Sequence, residues 1–245
     1  MANWSDPRSD IAGFGGASVA RGEAFDAGLR SYMLSVYNYM ASGVLLTGLV
    51  AMLFASSGLA YQVLAGPGIL KYVIMFAPLG FVMALSFGIQ RMSTFTAQAL
   101  FWAYAAVMGL SLSSIFLVYT GTSIAQTFFA TAAAFAGLSL FGYTTKKDLS
   151  GFGTFLIMGV VGLLVASLIN LFLKSSAMNL MISFIGVLLF AGLTAYDTQK
   201  IKGIYAYVAG TDMMGKSVVM GALNLYLDFI NMFMFLLRFM GNSRN

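Results

Sequence analysis

Of the eight acidic residues in this chain, only two fall inside long apolar runs: Asp197 and Asp228. Asp228 lies near the middle of VVMGALNLYLDFINMFMFLLRFM, Val218 to Met240, and Asp197 lies near the end of the preceding apolar run, in GLTAYDTQKIK. A carboxylate at mid-membrane costs roughly 2.5–3.5 kcal/mol on insertion scales, so it is expected to face a bundle interior or a water-filled cavity. Two carboxylates in one poorly solvated site cannot both ionise easily. They titrate as a unit, holding one proton between them at low pH and repelling once it is lost. A shared proton that closes a pore, and whose loss opens it, is the switch such a pair could provide. The doubly ionised pair would also attract a divalent cation. Calcium takes roughly six to eight oxygens, and Asp197 and Asp228 with Asn224, Asn231, carbonyls and water would make a weak metal site. Weakness suits conduction, because an ion must also leave.

The elements around these residues follow from spacing. Steps of 3.6 residues put Gly221, Asn224, Asp228, Asn231 and Arg238 on one side of the last apolar run, against Leu, Met, Phe and Ile elsewhere. That run is long enough to cross a bilayer as a helix, and its aspartate places it inside a bundle with the other spans around it. Gly186, Leu193, Asp197 and Lys200 share one face of the preceding span, with Ala191, Gly192 and Ala195 nearby to permit close contact. Two spans joined by a short loop are antiparallel and commonly adjacent. Measured from that loop, Asp197 is expected about one turn deep and Asp228 about two or three.

Composition sets the class. Hydrophobic residues make up 60% of the 245 residues and charged residues 9%, against roughly 25% charged in a soluble domain. The chain is an all-α polytopic membrane protein, with spans expected at about 31–57, 69–89, 98–119, 123–145, 154–174, 178–199 and 218–240. Residues 1–30 form a polar tail, read as mobile and helical from Phe25 onward, and residues 31–241 the seven-helix domain. GLAYQVLAGPG reads as a turn-rich loop and Lys200–Ser217 as a longer polar loop. In the third span Gly109 and Ser113, four apart, allow close helix contact. Nine lysines and arginines fall on the amino-terminal side and four on the other, which favours a cytoplasmic amino terminus. Arg238 and Arg244 are the exceptions, and a re-entrant last helix would bring both termini inside.

Other chemistry is narrowed by what is missing. The chain has no cysteine and no histidine, so thiolate chemistry, imidazole ligands and a histidine switch are excluded. The net charge of +5 reads as loop topology rather than nucleic-acid binding. No enzyme motif is complete, no enzyme is expected, and no cofactor is called for. An intramembrane aspartyl protease stays open, since Tyr196-Asp197 fits its first motif while LYLDFIN around Asp228 does not fit its second. Bland roles also stay open. Asp228 could pair with Arg91 or Arg238 or bond an asparagine as interhelical glue, and Asp197 could be an interfacial carboxylate ending its helix.

With GLTAYDTQKIK at 192–202 and ALNLYLDFINMFMFLLRFMG at 222–241, the chain resembles the Bax inhibitor-1 family, in the bacterial branch that includes FtsH-modulator-like inner-membrane proteins. FDAGLRSYMLSVYNYMASGVLLTG and FWAYAAVMGLSLSSIFLVYTG also match that pattern. The resemblance implies a seven-helix fold with the last helix central, in the bacterial inner membrane. It implies a pH-dependent calcium leak controlled by a diaspartyl pair, here Asp197 and Asp228, and an arginine latch from the second span, for which Arg91 is the candidate. The partners then expected are the lipid bilayer, protons and calcium ions. The competing function is a modulator of a membrane-anchored AAA protease, without transport.

Overall fold

The computed structural model describes the backbone of residues 8–244 and the side chains of residues 23–244. The first seven residues of the expected tail therefore lie outside the described residues. Among the described residues, seven stretches are long and apolar enough to cross a membrane. The first is the end of α1 (Arg8–Ser56), a helix that begins well before its apolar part. A short α2 (Leu59–Leu64) occupies the expected turn-rich loop. Then come α3 (Leu70–Gly88), and α4 (Thr94–Leu112) with its continuation α5 (Ile115–Val118). They are followed by α6 (Gly121–Thr144), α7 (Ser150–Leu173), α8 (Ser176–Val208) and α9 (Met213–Met240).

The break between α4 and α5 has a local cause. Ser113 and Ser114 turn their hydroxyls back onto the carbonyls of Leu110 and Ser111, at 2.7 and 3.1 Å. Such back-bonding competes with the helical ladder and bends it. At α8 the expected polar loop is replaced by helix: Lys200 to Val208 continues the span, and only Ala209–Asp212 connects it to α9. Ile201 and Tyr205 keep the buried face going at a four-residue step, 2% and 6% exposed, which offsets the charge of the exposed Lys200 and the half-buried Lys202. With both helices longer than expected, Asp197 lies about three turns and Asp228 about four turns from the connecting loop, deeper than the sequence suggests.

α9 is the axis of the bundle, packing against α8, α1, α6 and α4. Leu225, Tyr226 and Leu237 on it have no exposed surface. α7 and α3 lie at the periphery, α7 leaning on α8 and α3 on α4. The carboxyl end of the chain is clasped. The Thr120 amide donates to the Asn242 carbonyl at 3.2 Å, the Arg244 amide to the Val118 carbonyl at 2.8 Å, and the Asn242 amide to Ser123 Oγ at 2.9 Å. These bonds tie the end of α9 to the turn between α5 and α6.

Candidate functional site

Close approach of α8 to its neighbours comes from small residues pointing three ways. At Gly186 a side chain would collide with the Phe235 ring of α9, its Cβ falling 2.6 Å away. Gly192 faces Leu156 and Phe152 of α7, and Ala195 meets Gly142 of α6 backbone to side-chain position. Of the small residues expected beside the Asp197 face, Gly192 thus serves α7 and Ala195 serves α6, while Gly186, on the Asp197 face itself, meets α9. The Gly109 site on α4 lies 2.7 Å from the Thr47 carbonyl of α1, so the third span does pack closely, as its spacing predicts.

In the α8–α9 interface the Asp197 and Asp228 carboxyl groups meet side chain to side chain. Asp228 is 4% exposed and Asp197 is half-buried. Among the described residues, Oδ2 of Asp228 has no hydrogen-bond donor. A buried carboxylate oxygen left without a donor is strongly unfavourable. A protonated carboxyl can donate to an unprotonated one, so a proton shared by the pair would supply the missing donor. Lys200, one turn along α8, is the nearest cationic influence on Asp197 and sits at the exposed edge, 5.8 Å from the centre of the Tyr196 ring.

The other expected members of the site are more loosely placed. Asn231 is half-buried and gives its amide to the Leu227 carbonyl of its own helix at 2.8 Å. Asn224 is half-buried on the same side of α9. Arg91 stands exposed in the turn between α3 and α4, and the structure does not bring it to the aspartates. Lys216 reaches that same turn, at the Gln90 carbonyl, 3.4 Å, and Lys216 precedes Asp228 by about 18 Å of helix. Arg238 is exposed, over the Phe235 ring at 5.6 Å. Among the described residues no group of three or more acidic, histidine or cysteine side chains gathers as a metal cage.

Beside the pair runs a polar chain that the sequence did not announce. Tyr37 Oη and Ser139 Oγ are 2.6 Å apart, Ser139 Oγ and Thr198 Oγ1 are 2.9 Å apart, and Thr198 donates to the Thr194 carbonyl at 2.8 Å. It joins α1, α6 and α8, ending one residue from Asp197. Its traces were available in Thr194 and Thr198 at a four-residue step, and in the small polar residues Thr127, Thr131 and Ser139 along one face of α6. A second buried group links Thr47 to the Ala105 carbonyl at 2.8 Å and to Tyr226 Oη at 2.6 Å.

Three cavities are prominent, and neither aspartate lines any of them. Asp228 is enclosed by packing, while Asp197 keeps part of its surface exposed.

The chain has relatives. A family model described as "Inhibitor of apoptosis-promoting Bax1" matches residues 29–245. The chain belongs to the Bax inhibitor-1 family. Among its relatives, the uncharacterized protein RP147 of Rickettsia prowazekii is 50% identical over 229 residues, covering 93% of this chain and 96% of that one. The inner membrane protein YbhL of Escherichia coli is 47% identical over 220 residues, covering 89% of this chain and 94% of its own length. An uncharacterized membrane protein of Streptococcus pyogenes is 38% identical over 220 residues. Bax inhibitor-1 membership thus extends over nearly all of the membrane domain described above.

Proposed function

We propose that this chain is a pH-gated cation leak channel with calcium as a permeant ion, and that Asp197 and Asp228 are both its pH sensor and part of its ion path. The reading rests on one observation: two carboxyl groups meet inside the bundle, and one buried oxygen lacks a donor among the described residues. With one proton between them the pair draws α8 and α9 together. When that proton leaves, two like charges face each other in a poorly hydrated interface, and separation with entry of water or a cation relieves them. Flux therefore rises with pH. Burial of Asp228 among Leu225, Phe229 and other buried residues of α9 suits a closed state, and Arg91 would act as a latch only in an arrangement that brings α3 nearer the pair. The inner membrane is its place, as the name of its YbhL relative suggests, with the amino terminus in the cytoplasm by its loop charges. No bond-breaking chemistry is assigned to it.

The test is calcium entry into liposomes holding the purified protein, from pH 6 to 8. Asp197→Asn and Asp228→Asn should each abolish the pH dependence, because an amide neither shares the proton nor acquires charge. Flux indifferent to both substitutions would sink the channel. A second reading has one feature in its favour: α1 has 49 residues, about 74 Å of helix, so its polar beginning reaches beyond a membrane of about 30 Å. That segment would suit an encounter with a membrane-anchored AAA protease. Deleting residues 1–25 would remove such an encounter and leave flux intact.

A further inference from the structure

α1 and α6 both pack on α9, but between them they leave a cleft. Its larger part is a cavity of about 740 Å³ that runs from Arg30 and Tyr143 at one end to Leu45 and Phe128 at the other, with Phe229 of α9 at its base. A second cavity of about 390 Å³ continues along the same two helices and shares Val44, Phe128 and Phe229. The larger volume falls within the roughly 300–1,000 Å³ of small-molecule sites. Ala41, Ala132 and Ala136 leave the room, and the Tyr37–Ser139 hydrogen bond forms part of the wall. Along α1 the larger cavity extends from Arg30 to Leu45, about 22 Å of helix. One leaflet contributes about half of a hydrocarbon core of about 30 Å. The cleft is therefore long enough for an extended chain and lies between two membrane spans, where the surrounding medium is lipid.

Charge marks one end only of this larger cavity. Arg30 lines its mouth and is exposed. Tyr143 lines the cavity too, and the Lys202 ammonium donates to its carbonyl at 2.8 Å and lies 4.8 Å from the centre of its ring. Lys146 and Lys147 follow directly in the next loop. The acids on this side are Glu23 and Asp26, two turns and one turn before Arg30, and Asp148 in the same loop as the lysines. Cations outnumber them, four to three, and an arginine fork together with a lysine at the same end of the cavity suits a phosphate.

We propose that the α1–α6 cleft is a binding site for one anionic phospholipid: an acyl chain lies along the cavity and the phosphate rests between Arg30 and Lys202. The site is separate from the aspartate pair and does not depend on whether the chain conducts ions. The test uses the full chain purified in detergent, titrated with dioleoyl phosphatidylglycerol or dioleoyl phosphatidylcholine, with bound lipid counted by native mass spectrometry. The wild type should retain one phosphatidylglycerol in preference to phosphatidylcholine. Arg30→Gln and Lys202→Gln should each weaken that retention about fivefold, the worth of one basic residue facing an anionic lipid. Ala136→Trp, which fills the cavity from α6, should abolish retention of the single lipid whatever its headgroup. Equal retention of both lipids by the wild type, or retention untouched by both charge substitutions, would mean annular lipid only and overturn the site. So would a folded Ala136→Trp protein that still holds its lipid. Should that variant not fold, the two charge substitutions decide alone.

Discussion

α7 and α9 invert the rule learned from soluble proteins. α7 has the highest mean hydropathy of the seven spans, yet only 11% of its most apolar stretch is buried in the protein; the corresponding stretch of α9 is less apolar and 67% buried. In water the most apolar segment would be the core. In a bilayer the solvent is itself apolar, so hydrophobicity gives no reason to leave it. A span moves to the centre because it carries what lipid cannot satisfy, and α9 carries Asp228, Asn224 and Asn231. What then holds the centre together is shape and hydrogen bonding, through glycines such as Gly186 and Gly142 and through hydroxyls such as Thr47 and Ser139.

Glycine substitutions should separate the two regions most widely. Gly142 abuts the Ala195 backbone, whereas Gly162 on α7 has open space around it. Gly142→Leu should destabilise the bundle by about 3 kcal/mol, the upper range for overpacking. Gly162→Leu should stay within about 0.5 kcal/mol of the wild type. Reversible unfolding in bicelles would measure both, and equal effects would break the comparison. A smaller effect is expected from Thr47→Val, which removes the hydroxyl joining Ala105 and Tyr226. About 0.6 kcal/mol is the average worth of an interhelical hydrogen bond in a membrane, and the same unfolding measurement reads it. The smallest effect belongs to Asp148, an exposed loop aspartate just before α7. The hydroxyl and backbone amide of Ser150 hold its carboxyl below the usual carboxylate range. A carboxyl lowered by folding stabilises at neutral pH, and that contribution fades as pH falls below its ordinary value of about 4 and through the lower folded one. Faster amide exchange at Ser150 in acid, absent in Asp148→Asn, would show it.

The spans and the central place of the last helix were legible in the sequence, because length and apolarity define a span and one aspartate is enough to mark the inside. Antiparallel neighbours suggested that Asp197 and Asp228 could approach each other, but whether their carboxyl groups touch was not legible, because it depends on how the two helices are rotated. Less legible was the continuation of α8 to Val208. Two lysines made that segment look like loop, although Ile201 and Tyr205 preserved the helical step. The Tyr37–Ser139–Thr198 chain was hidden for a different reason. Serine and threonine are common in spans, where they usually bond their own helix, and nothing local distinguishes those that reach across. The cleft between α1 and α6 is a property of how two helices diverge over a third, which no single segment encodes.

The clasp at the carboxyl end makes α9 a lever. Its Met240 end is pinned through Asn242 and Arg244 to the turn between α5 and α6, so a swing of the rod has its pivot there. Asp228 lies about 18 Å from that pivot and Met213 about 40 Å. A displacement applied at the Met213 end therefore reaches the aspartate pair reduced to less than half, and an alteration that frees the pivot would deprive the rod of its fulcrum.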